Sequence, residues 1–269
     1  MIHLILGSSG QIGSHLVEYL KNKGEEVLEF DIQNEEYQDL RNEPNSLLKH
    51  YLQECDIVYF LAFDVGGAKY LEQYQDTSDF IINNMRIMSN TFDAIRRADK
   101  PFLFASSQMA EMSYSSYGML KSLGEKITKD RGGLLIKFWN VYGREYNEEK
   151  SHVITDFIKM AKNEGVIHMR TDGTESRQFL YADDACEALF SLALKYYTLP
   201  KNEEYHISSF KWNTINEISS ILNVPTIPSP TKDNTQRNAM NEPNTFILNY
   251  WKPITTLKEG IMKLYNLED

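Results

Sequence analysis

Short apolar runs alternate with helical periodicities through the first half of the chain, and no other feature constrains the fold as tightly. "IHLIL" at residues 2–6 leads into the helical pattern "SHLVEYLKNKG", with Gly24 as its stop, and "EEVLEFD" follows as a strand ending at Asp31. "DIVYFLAF" (56–63) precedes the long helical pattern "FIINNMRIMSNTFDAIRRADK"; "PFLFASS" precedes "SYGMLKSLGEKITKDRG"; "LLIKFWNVYG" reads as the next strand. Continuous apolar runs of this length are strands buried on both faces, and each return to a parallel neighbour needs a crossover helix. The expected class is α/β, a doubly wound parallel sheet covered on both sides. After Gly143 the regularity weakens into short mixed elements, with prolines at 225, 228, 230, 243 and 253. The expected division gives residues 1–145, with a later contribution from about 178–200, to the sheet domain. Residues 146–177 and 201–269 form a smaller C-terminal substrate-binding lobe at the carboxyl edge of the sheet, where open parallel sheets hold ligands.

With 269 residues, 42% of them hydrophobic and 25% charged, the chain has the composition of an ordinary globular protein. A net charge of -10 argues against nucleic acid as the main partner, because phosphate binding needs a basic face. The two cysteines, Cys55 and Cys186, lie in apolar segments, and the six histidines show no ligand spacing, so no metal is expected. Asp183 and Asp184 in "YADD" read as the acidic first turn of a helix rather than a metal pair. The opening "MIHLILGSSG" is too short an apolar run for a signal peptide or a membrane span, and a cytoplasmic location is expected.

Gly7, Gly10 and Gly13 follow a strand and open a helix, in the spacing G-x-x-G-x-x-G. In that setting glycines allow a tight turn, close approach of backbone to a pyrophosphate, and close packing of helix on strand, while the helix N-terminus offers free N–H groups. The expected fold is therefore of the Rossmann type, with Gly7, Ser9, Gly10, Gln11, Ile12 and Gly13 around a dinucleotide. Asp31 ends the next strand, where a carboxylate accepts from the ribose diol and repels a 2′-phosphate, so the expected cofactor is NAD rather than NADP.

Ser106 and Ser107 end the strand "PFLFASS", and Tyr117 and Lys121 follow at i and i+4 on one helical face. A neighbouring ammonium favours phenolate, which would let Tyr117 act as a base below its ordinary range. Together with the glycine loop, the motif Tyr117-x-x-x-Lys121 and "FWNVYG", this set resembles the extended short-chain dehydrogenase/reductases, in their nucleotide-sugar epimerase/dehydratase branch. "LAF" (Leu61, Ala62, Phe63), Asn84 in "IINNM", "GTESRQFLYADDACEAL" and "WKPITTLKEGIMKLY" extend the likeness over nearly the whole chain.

The resemblance implies that Tyr117 is the base, that Ser107 (rather than Ser106) hydrogen-bonds the reacting sugar hydroxyl, and that Lys121 holds the nicotinamide ribose and lowers the Tyr117 pKa. It implies cofactor contacts from Leu61, Ala62, Phe63 and Asn84, and nucleotide diphosphate contacts from Asn140, Arg177 and Arg237. Gly66 and Gly67 make a small-side-chain loop above the nicotinamide, where the sugar approaches. Gln108 stands where dehydratases of the branch place an acid, which disfavours water elimination. Only ten residues separate Ser107 from Tyr117, a short loop for the branch, so either another loop closes the site or it is unusually open. The expected activity is NAD-dependent hydride chemistry on a nucleotide-linked sugar, epimerisation or net oxidation or reduction. A non-enzymatic dinucleotide-binding regulator is the reading from another class. A homodimer through "NNMRIMSNTFDAIRR" and "SYGMLKSLGEKITK" is expected, with the apolar stripe Met85, Met88 and Phe92 facing the partner.

Overall fold

The structure is a computed structural model, described here over residues 1–233 and 241–267; Arg237 lies outside the described residues. The strands are β1 (Ile2–Leu6), β2 (Glu26–Phe30), β3 (Ile57–Phe60), β4 (Phe102–Ser107), β5 (Leu134–Phe138), β6 (Asn140–Tyr142), β7 (Ile167–His168), β8 (Ser176–Tyr181), β9 (Glu204–Ile207), β10 (Trp212–Thr214) and β11 (Thr226–Ile227). The helices are α1 (Gln11–Asn22), α2 (Ser46–Glu54), α3 (Ala68–Tyr74), α4 (Ser78–Ala98), α5 (Ser116–Asp130), α6 (Val153–Asn163), α7 (Ala182–Leu194), α8 (Ile215–Ile221) and α9 (Leu257–Asn266).

Six strands form one parallel sheet in the order β2-β1-β3-β4-β5-β9. The period of two along a strand sorts its side chains between two cores. Ile5 joins Leu16 and Leu20 of α1 and Ala185, Leu189 and Leu192 of α7 on one face. Leu4 and Leu6 join Leu48 and Leu52 of α2, Met88 and Phe92 of α4, and Leu120 of α5 on the other. This is the covered parallel sheet expected from the alternation. A third core, built from Tyr142, Ile154, Phe157, Phe179, Ile215, Ile218 and Ile261, holds the lobe together around the small sheet β10-β8-β6.

Three boundaries differ from the sequence reading. "LLIKFWNVYG" is two strands in two sheets: the Trp139 indole donates to His206 Nδ1 (3.3 Å) and packs edge-on against Trp212, turning the chain so that Asn140–Tyr142 pairs with Phe179–Tyr181 instead. β9, placed in the lobe by the expected division, is the sixth strand of the main sheet. Tyr205 and Ile207 are fully buried there, and β9 pairs an edge of β5 that would otherwise expose unpaired backbone groups. β8 likewise belongs to the lobe's sheet, while α7 packs on α1 against the main one. The short helices α2 and α3 escaped the sequence reading.

Candidate active site

The glycine loop joins β1 to α1. Gly7 has φ +90°, and a Cβ there would stand 2.7 Å from the Ala62 nitrogen; a Cβ on Gly13 would stand 1.9 Å from the Gly7 carbonyl oxygen. Neither position has room for a side chain, so backbone is what this turn presents to the cavity above it. The Asp31 carboxylate accepts from the Ser9 N–H (3.0 Å) and the Gln33 N–H (2.9 Å), which fixes it at the lip of the loop. Exposed backbone at a helix N-terminus, with a carboxylate one strand over, fits the pyrophosphate and ribose of NAD.

Ser107 ends β4 and caps a 3-10 turn at residues 108–111, its hydroxyl accepting from Met109 N–H (3.1 Å). Ser106, one residue earlier, donates instead to Glu125 of α5 (2.5 Å). Two adjacent serines thus point to opposite sides of the strand, and only Ser107 meets Tyr117. Burial pushes the Tyr117 phenol up to about 12, the hydrogen-bonded Ser107 hydroxyl opposing it. Burial also pushes the Lys121 ammonium down to about 7, with Glu125 opposing. Lys121 Nζ donates to the Ala105 carbonyl (2.6 Å) and lies 3.7 Å from the centre of the Phe63 ring, which packs edge-on against Tyr117. The expected lowering of the Tyr117 pKa by Lys121 is therefore corrected: the ammonium is 5.8 Å from the phenol ring centre and engaged elsewhere, and burial dominates both groups.

Apart from Asn84 and Arg237, the residues singled out from sequence line one cavity of about 1790 Å³ that runs from the glycine loop past Ser107, Tyr117 and Lys121 to Arg177. Asn84 is a correction. It is fully buried, and its amide binds Asp64 N–H (2.7 Å), the Asp64 carbonyl (3.0 Å) and the Phe80 carbonyl (3.0 Å), so it ties the chain leaving β3 to α4. Its polar atoms are engaged within the fold, and it supports residues 61–64 from behind. Gln108 donates to Asn140 Oδ1 (3.1 Å), so these two act as a pair. Arg177 is nearly buried and ion-paired with Asp233.

The segment 145–152 answers the question of closure raised by the short Ser107–Tyr117 loop. Gly67 N–H donates to the Lys150 carbonyl (3.0 Å), Lys150 Nζ meets Asp64 (2.8 Å), and Tyr74 donates to Glu149 (3.0 Å). Gly66 and Gly67 are small because this segment lies on them: a Cβ on Gly67 would come 2.2 Å from the Ser151 carbonyl oxygen. Also lining the cavity are Asp39, Leu40 and Arg41, with Arg41 held in a two-point ion pair by Asp39. Sequence reasoning missed these three because residues 32–45 carry no periodicity; "DLR" after a polar stretch was the signal available. Among the described residues there is no cluster suited to a metal ion, and no helix long and apolar enough to cross a membrane.

Residues 3–208 match the NAD dependent epimerase/dehydratase family. The chain belongs to that family, and its cofactor is NAD. It is 26% identical to a putative UDP-glucose 4-epimerase of Methanocaldococcus jannaschii, covering 98% of this chain and 97% of that one. It is 25% identical to a GDP-L-fucose synthase of Sinorhizobium fredii, over 97% and 93% of the two chains. In three dimensions it is similar to the UDP-glucuronic acid 4-epimerase of Bacillus cereus, solved with UDP-glucuronic acid and NAD, at a TM-score of 0.75 and 22% identity over 99% and 98% of the two chains.

Proposed function

We propose that this chain oxidises a carbinol of a nucleotide-linked sugar to a ketone and reduces it again or releases it, as an epimerase or a dehydrogenase/ketoreductase. The observation that carries this is the meeting of Ser107, Tyr117 and Lys121 in the same cavity as the glycine loop. NAD, when bound, supplies the two-electron acceptor for the carbinol carbon and can return the electron pair. Tyr117 takes the hydroxyl proton as the ketone forms and gives it back on reduction. Ser107 holds the reacting oxygen, and Lys121, when protonated, offers its ammonium to the nicotinamide ribose. The loop residues Gly7 to Gly13, Asp31 and the segment Leu61 to Phe63 hold the cofactor. Gln108, Asn140, Gly67 and Arg177 hold the sugar nucleotide, Arg177 by exchanging Asp233 for phosphate. Gln108 carries an amide that cannot cycle a proton, which speaks against dehydration.

A homodimer through α4 and α5 and a cytoplasmic setting, in keeping with the two free thiols, belong to the same reading. Mass spectrometry of the purified protein for retained NAD(H) and sugar nucleotide, followed by single-turnover NADH absorbance with UDP-, GDP-, dTDP- and CDP-sugars, tests the proposal. Reduction of the cofactor by one of them supports it. Tight NAD binding with no absorbance change and no epimer or keto-sugar formed from any sugar favours the non-enzymatic regulator.

A further inference from the structure

Behind Ser107, on the side of the strand to which Ser106 points, lies a charged cluster that the chemistry above does not use. Lys137 of β5 is 2% exposed, yet its ammonium meets Glu204 (2.9 Å), Glu111 (3.1 Å) and Glu125 (3.5 Å). Burial opposes that charge, but the carboxylates hold the ammonium above its ordinary range. Glu204 is in turn bound by Lys129 (2.7 Å) and His206 (3.3 Å). His206 Nδ1 accepts from the Trp139 indole and from Asn244 N–H, which leaves Nε2 as the nitrogen that donates to Glu204. A buried lysine among three carboxylates is costly to keep unless every partner is in place.

The partners sit on the elements that carry the active site. Glu111 ends the 3-10 turn that begins at Ser107, Ser106 precedes Ser107 on β4, and Glu125 is one helical turn past Lys121 on α5. We propose that Glu125 and Lys137 are positioning residues for the reaction inferred above: Glu125 locks β4 to α5 through Ser106, Lys137 locks β5 to the same helix and to the 3-10 turn, and the Glu125 carboxylate, one helical turn from Lys121, sets how readily Lys121 keeps its proton. Lys121 is faced on its own helix by Tyr117 and Glu125, from β4 by the Ala105 carbonyl and Phe104, and from the segment after β3 by the Phe63 ring. Glu125 is the charged group that favours the Lys121 ammonium. Glu125 is itself faced by Ser106, Lys137 and Glu204. Burial raises its carboxyl, with the Glu204 carboxylate adding to the rise and the Ser106 hydroxyl and the Lys137 ammonium opposing it. Lys137 thus contacts Glu125, and Glu125 lies one helical turn from Lys121 on the same face of α5, so that its charge is felt there without a direct contact.

The test follows Lys121 directly, by NMR titration of protein labelled with 13C at the lysine Cε, with the signal assigned by its absence in Lys121→Met. Removal of the Glu125 charge with shape kept, in Glu125→Gln, should lower the pH at which Lys121 titrates by roughly half a pH unit or more. Ser106→Ala, which takes away a hydrogen bond that favours the Glu125 carboxylate, should move it in the same direction and serves if Glu125→Gln does not fold. Glu125→Asp, which keeps the charge, should restore most of the wild-type value. The alkaline limb of kcat should move with the titration, with KM for the sugar nucleotide changed less than twofold. A Lys121 titration identical in wild type, Glu125→Gln and Ser106→Ala, with only melting temperature lowered, would overturn the proposal. The titration needs no substrate. A wild type inactive on every sugar nucleotide but showing the shift sinks the substrate reading alone; an active wild type showing none sinks this inference alone.

Discussion

At Tyr117 and Lys121 burial favours the uncharged form of both groups, the phenol rising to about 12 and the ammonium falling to about 7. Folded Lys121 releases its proton near pH 7, whereas in the unfolded chain it does so near 10.5. Between those values the unfolded state binds more protons, so folding stability rises with pH across the window, and the cost of burying Lys121 is fully present below it. Lys121→Met should therefore be more stable than wild type at pH 6, by about 2–4 kcal/mol, and the gap should narrow by pH 9 and close only as the pH approaches the unfolded value. Urea midpoints at the two pH values check this, and the same variant should lose turnover. Tyr117→Phe keeps the ring against Phe63 and removes only the hydroxyl; NAD should still bind while turnover falls about 10²–10⁴-fold. NADH absorbance in single turnover decides it, and wild-type reduction rates in the variant would remove Tyr117 from the role of base. Asp31→Ala should narrow the preference for NAD over NADP, read by fluorescence titration of both. At this scale the gathering of Ser107, Tyr117 and Lys121 in one cavity was legible because their spacing is local, a strand end and one helical turn. The structural role of Asn84 was not, because whether an asparagine faces a ligand or binds backbone depends on the orientation of α4 against residues 61–64.

The segment 145–152 and helix α3 work as one element pair, with Gly66 and Gly67 as the surface on which they meet. Gly67→Ala would drive a Cβ into the Ser151 carbonyl oxygen, so the segment must lift. KM for the sugar nucleotide should rise, by roughly tenfold if about 1.4 kcal/mol of closure is lost, while NAD affinity is unchanged. Lys150→Met breaks the pair with Asp64 and should act in the same direction but less, since the backbone contact to Gly67 remains. Steady-state KM set beside NAD titration separates the two effects, and loss of NAD affinity in Gly67→Ala would mean that the loop does more than close the sugar end. None of this closure could be read from sequence. The two glycines look like a free loop until the chain some eighty residues further on is seen lying across them. The break at Trp139 was hidden for a related reason, as an apolar run is continuous in composition even where His206 and Trp212 turn it out of one sheet and into another.

Over the whole molecule, α4 and α5 leave an apolar band uncovered: Ile82, Met85, Met119 and Leu123 are each 44–51% exposed. Met88 and Phe92, expected from sequence to face a partner, are turned into the sheet-side core instead, while Met85, one turn earlier on the same stripe, is half exposed. The proposed homodimer should therefore depend on the exposed band. Met85→Glu combined with Leu123→Glu should give a monomer by light scattering at micromolar concentration, with the far-UV spectrum unchanged; a wild type that is already monomeric would end the dimer proposal. The covering of the sheet was legible in outline, since the central strands are largely apolar on both faces, but the last strand was not. Glu204–Ile207 sits among lobe segments in the sequence and pairs with β5 across residues 139–203. That connection has a consequence for how the chain is made. At roughly 5–20 residues per second, the 65 residues between Phe138 and Glu204 take a ribosome roughly 3–13 seconds. Throughout that interval the nascent chain carries an open β5 edge, and Lys137 is without its Glu204 partner, so this is the stage at which a chaperone has most to hold.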